Sequence, residues 1–517
     1  MKSKIIVFAV IFISSGYFIP SLEEGNPPNV VIILLDDAEE YDISAWGGGI
    51  NTPWMDFLSK GGKMFRNGYS NPVCSPSRAA LLTGHYPQKV GMSKLSSVVT
   101  QHPAQLGHVN LNYEFISEFL RENCYETYLS GKWHLGRNDH DSMEYEQEYE
   151  GCYFEPTDRG FDEFSGFLGS QESYYGLFKS RYRKDNKVIR RTPKSFYQTD
   201  FLGDEAVKFV KKANAPFFLY FSLGAPHAPL QAPKDGKLVD KYFEKFSKLD
   251  TLSNLCYKYN KAQFEAGLSD RLSLNRYLKK YVSAKRIKFA EDPNNLMEYA
   301  QHAAMIEQAD INIGKVIKEI RERGEMKNTL FFLFSDNGGD RHSINGIYDC
   351  QRGFKDNVFE GGIGIPFVVY WEDKILPGIT EQIAHLMDVF PTVVSIVSDY
   401  NKQDLKRSFD GIDLSRVLFE NKVIDRSLVI EHRDIATVIM KDYFKYYLDK
   451  RYDPPKEELH YMPFDSYEDK DVMKMNPEFA SIKVKKAKAI YKKWLRETNS
   501  INEDIIDYLS ECYPKCE

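Results

Sequence analysis

Residue types able to do chemistry fall in a few short clusters far apart in the chain. Cys74-Ser75-Pro76-Ser77-Arg78 sets a thiol beside proline and serine, with a guanidinium four residues on. Free cysteine is among the most buried residue types, so Cys74 taken alone reads as a structural thiol. Asp36-Asp37 closes an apolar run. Carboxylates at the C-terminal end of a strand lie where open α/β sheets bind ligands, although turn formation or helix capping also explains an isolated Asp pair. Lys132 and His134 follow another apolar run and face one crevice if the backbone between them is extended; outside that setting Lys132 is a solvated charge. His227, between Pro226 and Pro229, has little backbone freedom, which suits a positioned acid. His102, His108 and His140 lack such a setting and read as surface residues. Asp336-Asn337-Gly338-Gly339 ends a further apolar run.

Buried strands must carry these clusters. Residues 29–35, Asn-Val-Val-Ile-Ile-Leu-Leu, are continuously apolar or β-branched, as in the central strands of a parallel sheet covered on both faces. Residues 125–129, 216–223, 329–334 and 366–371 read the same way. Thr52-Pro53 opens a helix that Gly61-Gly62 ends, and residues 79–83 begin a helix behind Cys74, which puts that residue at a helix N-terminus suited to an anion. Residues 113–122, 299–323 (with Asp310 inside) and 388–396 are further helices. Beyond residue 400 the composition turns polar. There 428–431 and 436–448 read as antiparallel strands of a smaller sheet, with a helix over 478–495 packed on it.

Spacing adds a family likeness. Residues 74–84, Cys-Ser-Pro-Ser-Arg-Ala-Ala-Leu-Leu-Thr-Gly, resemble the sulfatase signature C-x-P-S-R-x-x-L-x-T-G, with every fixed residue type present. Gly131-Lys132-Trp133-His134-Leu135-Gly136, Ser335-Asp336-Asn337-Gly338-Gly339, Arg352-Gly353-Phe354-Lys355 and Glu360-Gly361-Gly362 resemble further blocks of that family. Arg159-Gly160-Phe161-Asp162 is a family-like turn with no chemistry to assign. The resemblance covers most of residues 29–396. It implies an alkaline-phosphatase-like α/β sandwich with a large, mostly parallel central sheet, plus a smaller C-terminal α+β domain with an antiparallel sheet. Where many relatives carry arginine after Glu-Gly-Gly and a hydrophobic residue, this chain has Gly364, so a local ion pair is expected to be missing there.

The resemblance also implies roles. Cys74 is oxidised by a formylglycine-generating enzyme to formylglycine, whose hydrate is the nucleophile. Asp36, Asp37, Asp336 and Asn337 offer only oxygen atoms, which suits a hard cation; Ca²⁺ is the family precedent and Mg²⁺ the alternative, with modified Cys74 as a further ligand. Arg78 and Lys132 favour the attacking alkoxide. Lys355 or His227 donates the leaving-group proton, and His134 takes the proton that lets the aldehyde re-form. The reaction releases sulfate and an alcohol. A phosphodiester or phosphonate monoester hydrolase of the same superfamily is one alternative, separated by relative turnover of the two ester types. A non-catalytic binder of sulfated ligands, with Cys74 left as a thiol, is another.

Length and composition bound the rest. A chain of 517 residues exceeds what one core usually organises. The expected division is 1–22 signal peptide, 23–400 catalytic domain and 401–517 small domain. Lys2 and Lys4, the apolar run 5–13 and Ser14-Ser15-Gly16 have the order of a secretory signal, and the run is too short to span a bilayer. No membrane span and no nucleic-acid partner are expected. The mature protein is expected in an oxidising compartment, secreted rather than lysosomal, because no Asn-x-Ser/Thr acceptor occurs. Besides Cys74 there are Cys124, Cys152, Cys256, Cys350, Cys512 and Cys516, open to disulfide pairing in a pattern the sequence does not choose. Residues 179–194 carry eight Lys/Arg against one Asp, and 234–290 fourteen basic against six acidic residues. Either stretch could line the cleft for a sulfated polysaccharide, or be a solvated face.

Overall fold

The computed structural model describes residues 27–95, 107–136, 155–176, 182–189, 193–214, 216–248, 293–340, 351–401, 407–465 and 468–499. The signal-like segment, His102, His140, most of the basic stretch 234–290, residues 179–181 and 190–192 of the other basic stretch, and Cys152, Cys256, Cys350, Cys512 and Cys516 lie outside them. Ten strands form one large sheet: β1 (Asn29–Asp36), β2 (Lys63–Tyr69), β3 (Glu126–Lys132), β4 (Glu163–Phe167), β5 (Tyr182–Lys184), β6 (Lys187–Val188), β7 (Phe217–Pro226), β8 (Thr329–Ser335), β9 (Phe367–Trp371) and β10 (Gly378–His385). Their order is β10-β2-β9-β8-β1-β7-β3-β4-β5-β6, and the central run β8-β1-β7-β3-β4 is parallel throughout. A second sheet, antiparallel, holds β11 (Leu428–His432), β12 (Ile435–Ile439), β13 (Phe444–Asp449) and β14 (Lys456–Tyr461) in sequence order. The longer helices are α1 (Pro53–Gly61), α2 (Cys74–Thr83), α3 (Ile116–Glu122), α4 (Gln198–Lys212), α5 (Lys237–Ser247), α6 (Pro293–Glu322), α7 (Val389–Asn401), α8 (Ser415–Glu420) and α9 (Pro477–Asn499).

β1 is unbroken in hydrophobicity because it has no exposed face. Val31, Ile33 and Leu35 pack into a core with residues of α1, α4 and α6, while Val30, Ile32 and Leu34 pack into another with α2, α3, α7 and α8. Period-two alternation thus divides one strand between two layers. The small sheet is likewise covered twice. Val438, Tyr446 and Leu459 meet Ala487 and Trp494 of α9, and Ile430, Ile439 and Tyr447 meet Tyr69, Val358, Ile363 and Met387 of the large domain.

Several elements differ from the sequence reading. α2 begins at Cys74 rather than behind it, because Pro76 falls in the first turn, where its missing N–H leaves no hydrogen bond unmade. The stretch 436–448 is two strands joined by a tight turn, with Met440 N bonded to Phe444 O and Tyr443 N to Met440 O. β3 runs on to include Lys132. The polar tract after residue 400 returns to the large domain: Phe409 packs on Phe390 with ring centroids 4.8 Å apart, and Leu414, Val417 and Leu418 join its core. His108 is buried, not on the surface, with Nδ1 donating to Val109 O at 3.1 Å. Cys124 is an exposed free thiol. Arg159 has a structural place: it donates to Glu118 at 2.9 Å and lies 3.9 Å from the Phe115 ring centroid.

Candidate active site

β1 and β8 are parallel neighbours in which Leu35 lies opposite Ser335, so Asp36-Asp37 emerges beside Asp336-Asn337. Asp37 N donates to Asp336 Oδ1 at 3.2 Å, and Asp37 Oδ1 accepts from Asn337 Nδ2 at 2.6 Å. Three fully buried or nearly buried cations face these groups. Lys132 Nζ donates to Asp36 Oδ2 at 2.7 Å. Arg78 donates to Asp336 Oδ2 through Nε at 2.9 Å and Nη2 at 2.7 Å, and Nη2 lies 3.7 Å from Asp36. Lys355 Nζ lies 2.8 Å from each oxygen of Asp37. Cys74, the first residue of α2, points its Sγ at Asp36 Oδ1, 3.4 Å away.

The histidines approach from two loops. His227 Nδ1 donates to Ala228 O at 2.6 Å, which turns Nε2 towards Asp37 Oδ2 at 3.6 Å. His134 Nε2 bonds Ser170 Oγ at 3.2 Å, and its backbone N donates to Leu168 O. The backbone at His134 is left-handed (φ 58°), not extended, as it is at Asp37 (φ 65°); such conformations collect at functional sites. Gly131 (φ 130°) is obligatory, since a Cβ there would meet Ser222 O at 1.7 Å. Ser222 in turn accepts from Arg78 Nη1 at 2.6 Å.

Protonation follows from this packing. Burial pushes the Asp36 carboxyl up, but Lys132, His227 and Arg78 outweigh it and bring it down to about 2. Asp37 is lowered as Lys355 and His227 overcome its burial. For Asp336, burial and the neighbouring Asp36 win over Arg78, and its carboxyl is raised. Burial and Asp336 push the Cys74 thiol well up, so the thiolate is disfavoured. Burial, Lys132 and Arg78 hold His134 well below its ordinary value, which keeps the ring neutral at neutral pH. Lys355 is raised, because Asp37 and Cys74 more than offset its burial.

The donor set fits a hard cation. Ligand atoms of Asp36, Asp37, Cys74 and His227 all lie within 4.8 Å of one another, and Asn337 Oδ1 is buried with no hydrogen-bond partner among the described residues. Such an orphaned acceptor is costly unless something electropositive meets it. Asp336 also borders the cluster, with one oxygen turned to Arg78 and the other to the Asp37 amide.

All the residues singled out in the sequence, Asp36, Asp37, Cys74, Arg78, Lys132, His134, His227, Asp336, Asn337 and Lys355, therefore meet in one cleft. The reading gave no part to Ser222, Ser335 or Ser170. Ser222, inside β7, and Ser335, the last residue of β8, are small polar residues in mostly apolar strands, a signal that could have found them; Ser170, in a loop, gives none. Position 364 carries no side chain, and the neighbouring Glu360 is paired with Lys445 of β13 at 2.9 Å. Of the basic stretch 179–194, Arg183 pairs with Glu155 at 2.7 Å and Lys184 with Glu205 at 3.1 Å.

Carboxylates, cations and a thiol gather at the carboxyl ends of a parallel sheet, and the comparisons place the chain in the alkaline-phosphatase-like superfamily. A model of the sulfatase family matches residues 28–400, and the chain belongs to that family. It is a sulfuric ester hydrolase. It is 27% identical over 433 residues to N-acetylgalactosamine-6-sulfatase of Rattus norvegicus, covering 78% of this chain and 68% of the relative. Ps i-CgsB, solved in complex with k-i-k-neocarrahexaose, has a similar fold, with a TM-score of 0.66, 24% identity, and coverage of 90% of this chain and 92% of that one. BT4656, solved with its substrate D-glucosamine-2-N,6-O-disulfate, gives a TM-score of 0.64 at 20% identity over 92% and 98% of the two chains. Among the described residues no helix is long and apolar enough to cross a membrane.

Proposed function

We propose that the protein is an exported enzyme that hydrolyses sulfate monoesters of a sulfated glycan, using a formylglycine made from Cys74 beside a bound Ca²⁺. The observation that carries this reading is the position of Cys74. It is buried at the start of α2, 3.4 Å from Asp36 and ringed by the same carboxylates and cations. Burial and the neighbouring Asp336 disfavour the thiolate, and the thiol form is a poor nucleophile, which favours the reading that the residue acts after conversion. The glycan class is supported by the sugar-directed names of the relatives.

Asp36, Asp37, Asn337 and Asp336 would hold the cation, with the oxygen made from Cys74. When bound, it supplies Lewis-acid charge to the nucleophilic and sulfate oxygens. Arg78 and Lys132 are fixed by ion pairs, so their positive charge is in place before the sulfate group arrives and needs no rearrangement. Lys355 Nζ and His227 Nε2, both turned to Asp37, can hold a proton for the leaving alcohol oxygen. His134, kept neutral, can take the proton whose removal regenerates the aldehyde.

Mass spectrometry of the peptide containing Cys74, taken from an active preparation, tests this directly. An aldehyde or its hydrate at position 74 is expected. A peptide found wholly as the thiol in a preparation that turns over sulfate esters overturns the reading.

A further inference from the structure

We propose that Lys445, on an inner strand of the small antiparallel sheet, is a positioning residue of the active site that fixes Lys355 through Glu360. The inference rests on the reading of Lys355 as a proton donor.

Lys445 has a side chain only 1% exposed, and its Nζ lies 2.9 Å from Glu360 Oε1 and 2.8 Å from Glu468 Oε1. The other oxygen of Glu468 accepts from the backbone N of Glu360 at 2.9 Å, and Tyr69 OH donates to Glu360 Oε1 at 3.2 Å. Glu360 is thus held by both its side chain and its main chain. It opens the helical turn Glu360–Ile363, whose backbone is woven into the loop that carries Lys355. Gly361 N donates to Arg352 O at 2.7 Å, Lys355 N to Gly339 O at 2.9 Å, and Gly338 N to Gly362 O at 3.1 Å. A shift of Glu360 is therefore passed to Lys355 and to the Asp336-Asn337 turn together.

The cation comes from the small sheet and not from position 364. A Cβ at Gly364 would stand 2.8 Å from Glu360 O and 3.1 Å from Glu360 Oε2, so a side chain there has no room. An apolar core at this junction would be as stable as a buried ion pair, or more so. What the pair adds is a defined geometry, because two directed bonds on Lys445 permit one position of Glu360.

Wild type, Lys445→Met, Lys445→Arg, Glu360→Gln and the double variant Lys445→Met/Glu360→Gln are compared by kcat and KM on 4-nitrophenyl sulfate and on phenyl sulfate, whose leaving group is the poorer. Misplacing a proton donor hurts the poor leaving group most. Lys445→Met is expected to lose about tenfold in kcat on phenyl sulfate and about threefold or less on 4-nitrophenyl sulfate, with KM little changed. Lys445→Arg should restore most of that loss, and the double variant should lose less than the product of its two singles. If Lys445→Met does not fold, Glu360→Gln carries the test, because it keeps the carboxylate's shape and should show the same unequal loss. Equal losses on both substrates, or none, overturn the inference while sulfatase activity stands. A wild type that releases no sulfate from either ester or from a sulfated glycan overturns the sulfatase reading, and the inference with it.

Discussion

His134 and Lys355 face one cleft with opposite protonation. Burial and the cations around it keep His134 neutral, whereas Asp37 keeps Lys355 charged despite its burial. Their losses should therefore show at different steps. His134→Ala is expected to release about one equivalent of alcohol per enzyme and then nearly stop. Lys355→Ala should be slow from the first turnover, most of all with poor leaving groups. Stopped-flow traces of a chromogenic ester separate the two, and identical traces would contradict both roles. Asp336 and Asn337 also part company. Arg78 is fully buried and donates two hydrogen bonds to Asp336 Oδ2, so Asp336→Ala strands a charge and should reduce unfolding free energy by about 3–5 kcal/mol. Asn337→Ala removes an acceptor that no described group satisfies. It also removes the amide donor that bonds Asp37 Oδ1 at 2.6 Å and Gly338 O at 2.7 Å, so it should reduce unfolding free energy by about 1–3 kcal/mol and raise the Ca²⁺ concentration needed for half-maximal activity. A variant with unchanged Ca²⁺ dependence would remove Asn337 from the ligand set.

At the scale of elements, α1 is capped from outside. Asp310, in the middle of α6, accepts from Trp54 N at 3.1 Å and Met55 N at 2.8 Å, satisfying donors that open the first turn of α1. Burial pushes its carboxyl up to about 7 in spite of these bonds. Asp310→Ala is expected to reduce stability by about 1–2 kcal/mol, the size of a lost helix cap, measured by urea unfolding at pH 8; a value within error of zero would show the cap to be idle. No local pattern reveals this contact, because the partners are 255 positions apart. The same limit governs the rest of the fold. β1, β7, β8 and β9 were legible because burial on both faces leaves long apolar runs in them. β2 (Lys-Met-Phe-Arg-Asn-Gly-Tyr) and β10 (Gly-Ile-Thr-Glu-Gln-Ile-Ala-His) lie towards the sheet's edge, carry charge, and were not read as strands. The site was legible because its residues sit on short motifs at strand ends. Lys445 was not, since a lysine in a partly polar strand looks solvated until the chain folds it against Glu360.

Taken whole, the molecule places opposing titrations around its two sheets. In the small sheet His460 lies between Asp465, 2.8 Å from Nδ1, and Glu458, 3.2 Å from Nε2. Burial pushes the imidazole down, but the hydrogen bonds to Asp465 and Glu458 prevail and raise it to about 9. A group raised on folding binds its proton more tightly in the native state. Its stabilisation is complete below the unfolded value of about 6.5 and is lost as pH climbs through about 9, and the difference is worth about 3 kcal/mol. In the large domain His385 is pushed down to about 3 by burial and by Arg426, and His134 is also lowered. These two rings stay neutral while the unfolded chain takes up protons, so they withdraw stability as pH falls below about 6.5. His460 thus acts on the alkaline flank, while on the acid flank His385 and His134 outnumber Asp310, whose raised carboxyl opposes them as it protonates below about 7. The alkaline flank bears on activity as well, because Glu458 also holds Arg352 of the Lys355 segment at 2.6 Å. Thermal midpoints followed from pH 5 to 10 in wild type and His460→Gln decide the matter. The wild type should lose stability on both flanks. The variant should be less stable at pH 6.5, keep the acid flank and show a flattened alkaline one. An alkaline flank as steep in His460→Gln as in wild type would mean that His460 does not carry it.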